Sequence, residues 1–387
     1  MHLDYPVDVK SFRAELAKFL DRVVPAGLRE EVEAHGGRGG GKLTWALWRT
    51  LGEAGYLGIS WPKAYGGGGK SFLYVDAFFT EMFFRDLPTP ETALLTIGPT
   101  LITAGTPEHH ARYLPEILRG ESDWALGYSE PDSGTDLAAL KTRATPKDGG
   151  WLINGQKVYT SRAEYCQYVW LAARTDPDLP RDKGISVFIV PVAAKGVRVD
   201  PLWTMARRTN VTFYDDVWVP ADALVGGLNQ GWQYVTAQLV LERLVVSPIA
   251  ELERLQETLR GVVSKSPVTT SWLRPHLATF ESELQAMQAM RLRMLSMIEK
   301  GERPAWQASL LKIASNECRV RMLGVAMQAI GPRALLRDRG DASAFVEGIS
   351  DVTLEYQLRS SFINLFGGGS NDVLRDLVAS RGLGLSR

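Results

Sequence analysis

Two kinds of periodicity run through this chain, and they come in blocks that do not alternate. Apolar residues recur at helical spacing over residues 11–20 (Phe12, Leu16, Phe19, Leu20) and again over 44–56 (Trp45, Leu47, Trp48, Leu51). Near Trp124 the texture turns strand-like. Residues 151–159 carry Asn154-Gly155 between strand formers, which predicts a hairpin turn at that dipeptide. Runs at 168–172, 185–190 and 211–219 predict further strands, and the glycine-rich stretch 226–232 closes the block. Beyond Tyr234 helical spacing returns in two series, Leu284, Met287, Met290, Leu292, Leu295, Ile298 and Leu310, Ile313, Val320, Leu323, Met327. The methionines among them suit an adaptable core. An order of α, then β, then α excludes a doubly wound parallel sheet, which needs strands and helices in alternation.

Glycine clusters at 36–41 and 66–69 predict loops, either flexible connectors or functional turns. The 387 residues carry 44 Lys plus Arg against 44 Asp plus Glu, so no net charge draws the chain to nucleic acid or to an anionic membrane. Cys166 and Cys318 form neither a disulfide framework nor a CxxC pair, which fits a reducing cytoplasm. No apolar run reaches the ~18 residues of a membrane span, and Glu81 interrupts the apolar stretch 78–84. The first residues lack the order of a signal peptide. Among five histidines only His109 and His110 adjoin. Neighbours on a helix point to different sides, so both read as surface residues and no metal is expected. Nucleophile-elbow, phosphate-loop, zinc-protease and strand-following GxGxxG motifs are missing, which sets aside the common hydrolases, P-loop enzymes and Rossmann dehydrogenases.

Three segments could carry chemistry. Residues 127–136 (Gly-Tyr-Ser-Glu-Pro-Asp-Ser-Gly-Thr-Asp) concentrate hydroxyls, carboxylates and turn formers at the entry to the β block. They suit either a polar ring-binding loop or an ordinary turn. Residues 367–371, Gly-Gly-Gly-Ser-Asn, lead into a serine-started helix, where free amides could meet a diphosphate or a serine could simply cap. Glu242-Arg243 sits in the apolar stretch 238–246. A carboxylate there suits proton abstraction, and an ion pair suits it equally.

These segments, with Asn154–Ser161, 213–220, Gly231-Trp232 and the closing 381–385, resemble the acyl-CoA dehydrogenase family across nearly the whole chain. Residues 61–67 are similar to an N-terminal motif of bacterial members. The resemblance implies an α+β fold, with an N-terminal helical domain (1–121), a middle β-barrel-like domain (122–232) and a C-terminal four-helix bundle (233–387). It implies FAD between the β unit and the C-terminal helices, and an acyl-CoA thioester against the flavin. Ser129 matches a hydroxyl residue at the flavin ring, with Tyr128 and Ser161 beside it, and Tyr159 stands where the family usually has tryptophan. Thr135 matches a position near the pantetheine arm and Asn371 one at the adenosine end of FAD, with Gly369 a further cofactor-binding position.

Many members keep the catalytic base just before the C-terminal glycine motif; here that place is Gly367. In members resembling the isovaleryl-CoA and long-chain enzymes a glutamate precedes an arginine on the first helix after the β unit, and Glu242-Arg243 fits that pattern. Glu242 is then the general base that removes the α-proton while the β-hydrogen passes to flavin, with Arg243 on the substrate side. The Arg-x-Phe-Gly motif that reaches a neighbour's FAD diphosphate is absent from 259–277, although Gln328-Ala329-Ile330-Gly331 resembles its companion. Members without the motif act on bulky acyl groups, steroid side chains among them, and some pair two different subunits. Either a homo-oligomer or a heteromer with a related subunit is therefore expected, and the family resemblance also implies electron transfer to an electron-transfer flavoprotein. Two rivals share the scaffold: a non-catalytic partner subunit, and a flavin monooxygenase or oxidase.

Overall fold

The computed structural model describes residues 4–35, 39–245, 247–265, 267–335 and 354–386. The side chains of 239–242, 244, 245, 262–265, 267–270 and 333 lie outside that description. The chain forms two compact units, one from Phe19–Ser71 with Pro88–Glu242, the other from Met1–Lys18, Phe72–Leu87 and Arg243–Arg387.

In the first unit, helices α2 (Leu28–Ala34), α3 (Lys42–Glu53), α5 (Gly98–Ala104) and α6 (Pro107–Leu118) accompany one eight-stranded sheet. Its strands are β1 (Trp124–Gly127), β2 (Arg143–Lys147), β3 (Gly150–Lys157), β4 (Tyr168–Arg174), β5 (Ile185–Pro191), β6 (Val197–Trp203), β7 (Arg208–Pro220) and β8 (Leu224–Val225). They run in the order β6-β7-β3-β2-β4-β5-β8, and β1 lies parallel to β4. β4 and β5 are buried along almost their full length, and both read as unbroken apolar runs because neither face meets water. Their Val169, Leu171, Phe188 and Val190 pack with Ile153, Tyr214 and Val217 into the core.

Asn154-Gly155 makes no turn. Both residues lie inside β3, where the register against β7 shifts between Ile153 and Gly155. Gly155 has φ +152°, and a Cβ there would lie 2.5 Å from the Thr142 hydroxyl, so the glycine serves a bulge. The turn belongs to Asp148-Gly149, with φ 49° and 75°, the pair of positive angles that a tight hairpin demands. Asn154 is instead tied across the ladder to Asp216, whose N–H it accepts at 2.9 Å. The stretch 66–69 is likewise no slack connector: a Cβ on Gly67 or Gly68 would strike the carbonyls of Trp61 and Ile59.

His109 is buried, against its surface reading. It lies in the first turn of α6, where it exchanges hydrogen bonds with Thr106 in a capping box and meets the Asp222 carbonyl through Nε2. His110 reaches the Leu101 carbonyl at 2.7 Å.

Arg162 is buried between Asp123 (3.1 Å), Glu91 (2.5 Å) and the Thr89 carbonyl (3.1 Å). One cation faces two carboxylates. Burial pushes the Asp123 carboxyl up to about 6, against the pull of Arg162, with Glu91 adding to the rise. Glu91 is held below its usual range, Arg162 outweighing its own burial. An acid whose folded value is raised gives stability that is full below the unfolded value of 3.8 and lost as pH rises through about 6. Asp123→Asn removes that loss. Urea unfolding should therefore show the variant gaining on the parent between pH 4 and 7, by up to about 1.4 kcal/mol per pH unit. A difference that stays flat across that range would count against the raised Asp123.

In the second unit, α4 (Phe72–Phe84) packs on α8 (Ile249–Lys265) and α9 (Pro267–Glu299). These meet α10 (Ala305–Ile330), which also carries α11 (Leu354–Ser361) and α12 (Asn371–Leu377). Two further helices cross between the units in sequence, α1 (Val7–Val23) and α7 (Gly231–Val245). Among the described residues no helix is long and apolar enough to cross a membrane.

Candidate active site

The loop 127–136 leaves β1 and is anchored on both sides of Ser129. The buried Lys157, at the end of β3, donates to the Tyr128 carbonyl and to Glu130 Oε1, each at 2.9 Å. Glu130 also accepts the amides of Lys141 (2.6 Å) and Thr142 (2.8 Å). Burial pushes Glu130 up, but Lys157 and these amides hold it below the usual carboxylate range. Lys157 is lowered to about 8 by burial, against the pull of Glu130. Ser129 accepts the Val158 amide at 2.9 Å. Among the described residues neither its own N–H nor its hydroxyl has a protein partner.

Val158 leads directly into a strained turn. Tyr159 (φ 57°) and Arg162 (φ 75°) hold left-handed backbone that side chains rarely adopt, and the Ser161 N–H turns back onto the Tyr159 carbonyl. Ser161 shares a 3.0 Å hydrogen bond with Thr209, while the Tyr159 ring stands 62% exposed. An exposed aromatic face beside two half-buried serines fits the edge and face of a planar ring. Tyr128 donates to Gln238 on α7, which in turn donates to Thr100 at 2.8 Å. Thr135 lies exposed farther along the loop.

The second unit gathers Arg243, Gly369 and Asn371. Arg243, at the end of α7, donates to the Gly368 carbonyl (3.0 Å) and to Ser309 (3.3 Å). Lys312 on α10 donates to the Gly369 carbonyl (2.8 Å) and to Asn371 Oδ1 (2.9 Å). Burial, with Arg243 close by, lowers Lys312 to about 8. Gly368 and Gly369 have φ 71° and 103°, and the Ser370 hydroxyl accepts the Val373 amide at 3.4 Å to cap α12. Two cations thus grip the carbonyls of one glycine turn, and the Glu317 carboxylate joins them by accepting from Asn371 at 3.0 Å.

Gln328 and Gly331 do not join this group. Gln328 lies near the far end of α10, sixteen residues past Lys312 and roughly 24 Å away at helical rise, and Gly331 follows just beyond that end. Glu242 is placed by its backbone in α7, and its side chain lies outside the described residues. The anchors Lys157, Glu130, Gln238 and Lys312 escaped the sequence reading. Lys312 left a signal: it shares a helix face with Ala308, Ser315 and Arg319, all buried.

Three family models match the chain in order: acyl-CoA dehydrogenase, N-terminal domain, over residues 7–121; middle domain, over 125–216; and C-terminal domain, over 229–383. The curated acyl-CoA dehydrogenase FadE26 of Mycobacterium tuberculosis is 32% identical, over 100% of this chain and 99% of its own length. A solved structure named Tcur3481-Tcur3483 steroid ACAD superposes with TM-score 0.92 at 35% identity, covering 100% of both chains. The ChsE4-ChsE5 complex from Mycobacterium tuberculosis gives 0.90 at 31%, again over 100% of each. The fold, helical at both ends with a sheet between, agrees with these relatives.

Proposed function

The chain belongs to the acyl-CoA dehydrogenase family, and on that premise we propose that it is an FAD-dependent α,β-dehydrogenase of a bulky acyl-CoA thioester. The observation that carries this reading is the anchored loop, in which Ser129 keeps its donors uncommitted while its neighbours are held. Ser129, Tyr128, Ser161 and the Tyr159 ring would then hold the flavin ring, with Thr135 toward the substrate's arm. Gly369 and Asn371 would serve the nucleotide end. Gln328 and Gly331 stand too far from that turn to share one diphosphate, and we assign them to the cofactor of a neighbouring subunit. The division at 121/122 and 232/233 into three domains belongs to the same reading.

Bound FAD, held by these residues, would supply the hydride acceptor for the β-hydrogen of the acyl chain. The chain supplies the rest. Position 242 lies one turn beyond Gln238, the residue that meets Tyr128, so the Glu242 carboxylate is assigned as general base for the α-proton. Arg243 positions the glycine turn through the Gly368 carbonyl and is assigned to the substrate side.

A bulky acyl group is favoured because a neighbour at 35% identity is named as a steroid ACAD. Both solved neighbours carry two component names, which supports assembly of this chain with a related subunit. Electron-transfer flavoprotein as acceptor and a cytoplasmic site of action complete the reading. Purified chain, alone and co-expressed with a related subunit, should show a flavin spectrum that bleaches under anaerobic acyl-CoA, fastest with a steroid side-chain thioester. Absence of flavin in both preparations would reject the reading. Reduced flavin that reacts at once with oxygen would point to an oxidase or monooxygenase instead.

A further inference from the structure

The peptide group between Tyr128 and Ser129 is planar, and in a trans peptide the carbonyl and the next N–H point in opposite directions. The Lys157 ammonium fixes the Tyr128 carbonyl at 2.9 Å. It thereby fixes the Ser129 N–H, which points the opposite way within that plane. The next peptide is fixed as well, since the Ser129 carbonyl accepts from Val158 and the Glu130 N–H donates to Ser133, both at 2.9 Å. Glu130 holds Lys157 in place and is itself held by the Lys141 and Thr142 amides. Lys157 is fully buried and Glu130 nearly so, which keeps water from competing for these bonds.

We propose that Lys157, locked by Glu130, is a positioning residue that aims the Ser129 N–H at the bound flavin ring. This rests on the flavin reading above and adds to it the device that sets the direction of a donor. An N–H directed at a ring carbonyl stabilises the more electron-rich reduced flavin, so misaiming it lowers the flavin's midpoint potential.

A buried ion pair could equally serve stability alone, and the double variant separates the two roles. Lys157→Met leaves Glu130 buried and unpaired, while Lys157→Met with Glu130→Gln removes both charges. Three quantities are measured on the full chain: thermal unfolding, hydrogen–deuterium exchange of residues 127–136 without flavin, and midpoint potential with flavin bound. The double variant should recover much of the unfolding temperature lost in Lys157→Met. It should still exchange the loop amides about tenfold faster than the parent. Its potential should be more negative by about 30 mV, the equivalent of a tenfold loss in the relative stability of reduced flavin. If Lys157→Met does not fold, the double variant carries the comparison by itself. Recovery of loop protection and potential together with the unfolding temperature would overturn the proposal, because charge pairing alone would then explain the residue. A parent chain that binds no flavin would overturn the flavin reading, while the exchange measurement would still decide whether Lys157 holds the loop.

Discussion

Glu242→Gln is expected to take up FAD as the parent does and to lose acyl-CoA-dependent bleaching by ~10²–10⁴-fold, the usual contribution of a positioned general base. Glutamine keeps the size of the side chain and removes the basic oxygen, so a loss confined to the chemical step isolates proton abstraction. Binding should survive, because the loop around Ser129 and the glycine turn at 367–371 are anchored by Lys157, Glu130, Arg243 and Lys312. Rapid-mixing absorbance under anaerobic conditions reads the bleaching rate directly. A second arm moves the base. Gly367 has no left-handed φ among the glycines so constrained, and a Cβ there meets only the Ile363 carbonyl, at 3.4 Å. Gly367→Glu can therefore be built without a clash at Cβ. Introduced into Glu242→Gln, it should return part of the lost rate if the missing element is a carboxylate. Undiminished bleaching in Glu242→Gln alone would remove the residue from the mechanism.

The block order of periodicities placed the sheet between helical regions because each signal is local. A strand buried on both faces, such as β5, must be apolar at nearly every position, and that is visible without knowing its neighbours. The Asn154-Gly155 error came from the same locality. An Asn-Gly pair suits a hairpin turn and a bulge alike, and only the pairing of β3 with β7 decides between them. Asp148-Gly149 carried an equivalent signal six residues earlier and makes the turn. In the candidate site, composition singled out the hydroxyl-rich loop and the glycine turn but left each open between a ligand site and an ordinary turn or cap, and Ser370 does cap α12. Their anchors were not singled out. Lys157, Glu130 and Lys312 work from inside the protein, and a lysine in sequence reads as solvated until the contacts that bury it are known. His109 was misread for the same reason: its partner Asp222 lies 113 residues away.

Buried charge also sets the second large effect, in the helical unit. Arg291 on α9 donates to Asp76 at 2.7 Å and to the Thr80 hydroxyl at 2.6 Å, and the Tyr5 hydroxyl donates to the other Asp76 oxygen. Asp76 is fully buried and Arg291 nearly so. Burial and the adjacent Asp76 carboxylate push the Tyr5 phenol up, well away from ionisation at any working pH. Arg291→Met should destabilise this unit by about 3–5 kcal/mol, because it strands the Asp76 charge out of water with a phenol as its remaining partner. The same pair contributes far less than that figure to net stability, since both ions had to be desolvated to form it. Arg291→Met combined with Asp76→Leu and Tyr5→Phe should therefore recover most of the loss, in urea unfolding followed by circular dichroism at neutral pH. If the single variant unfolds at the parent's midpoint, water or another group must be reaching Asp76, and the buried pair does not close the site. If the triple variant stays as unstable as the single one, the three residues act through shape and packing, and the charge argument fails for this unit.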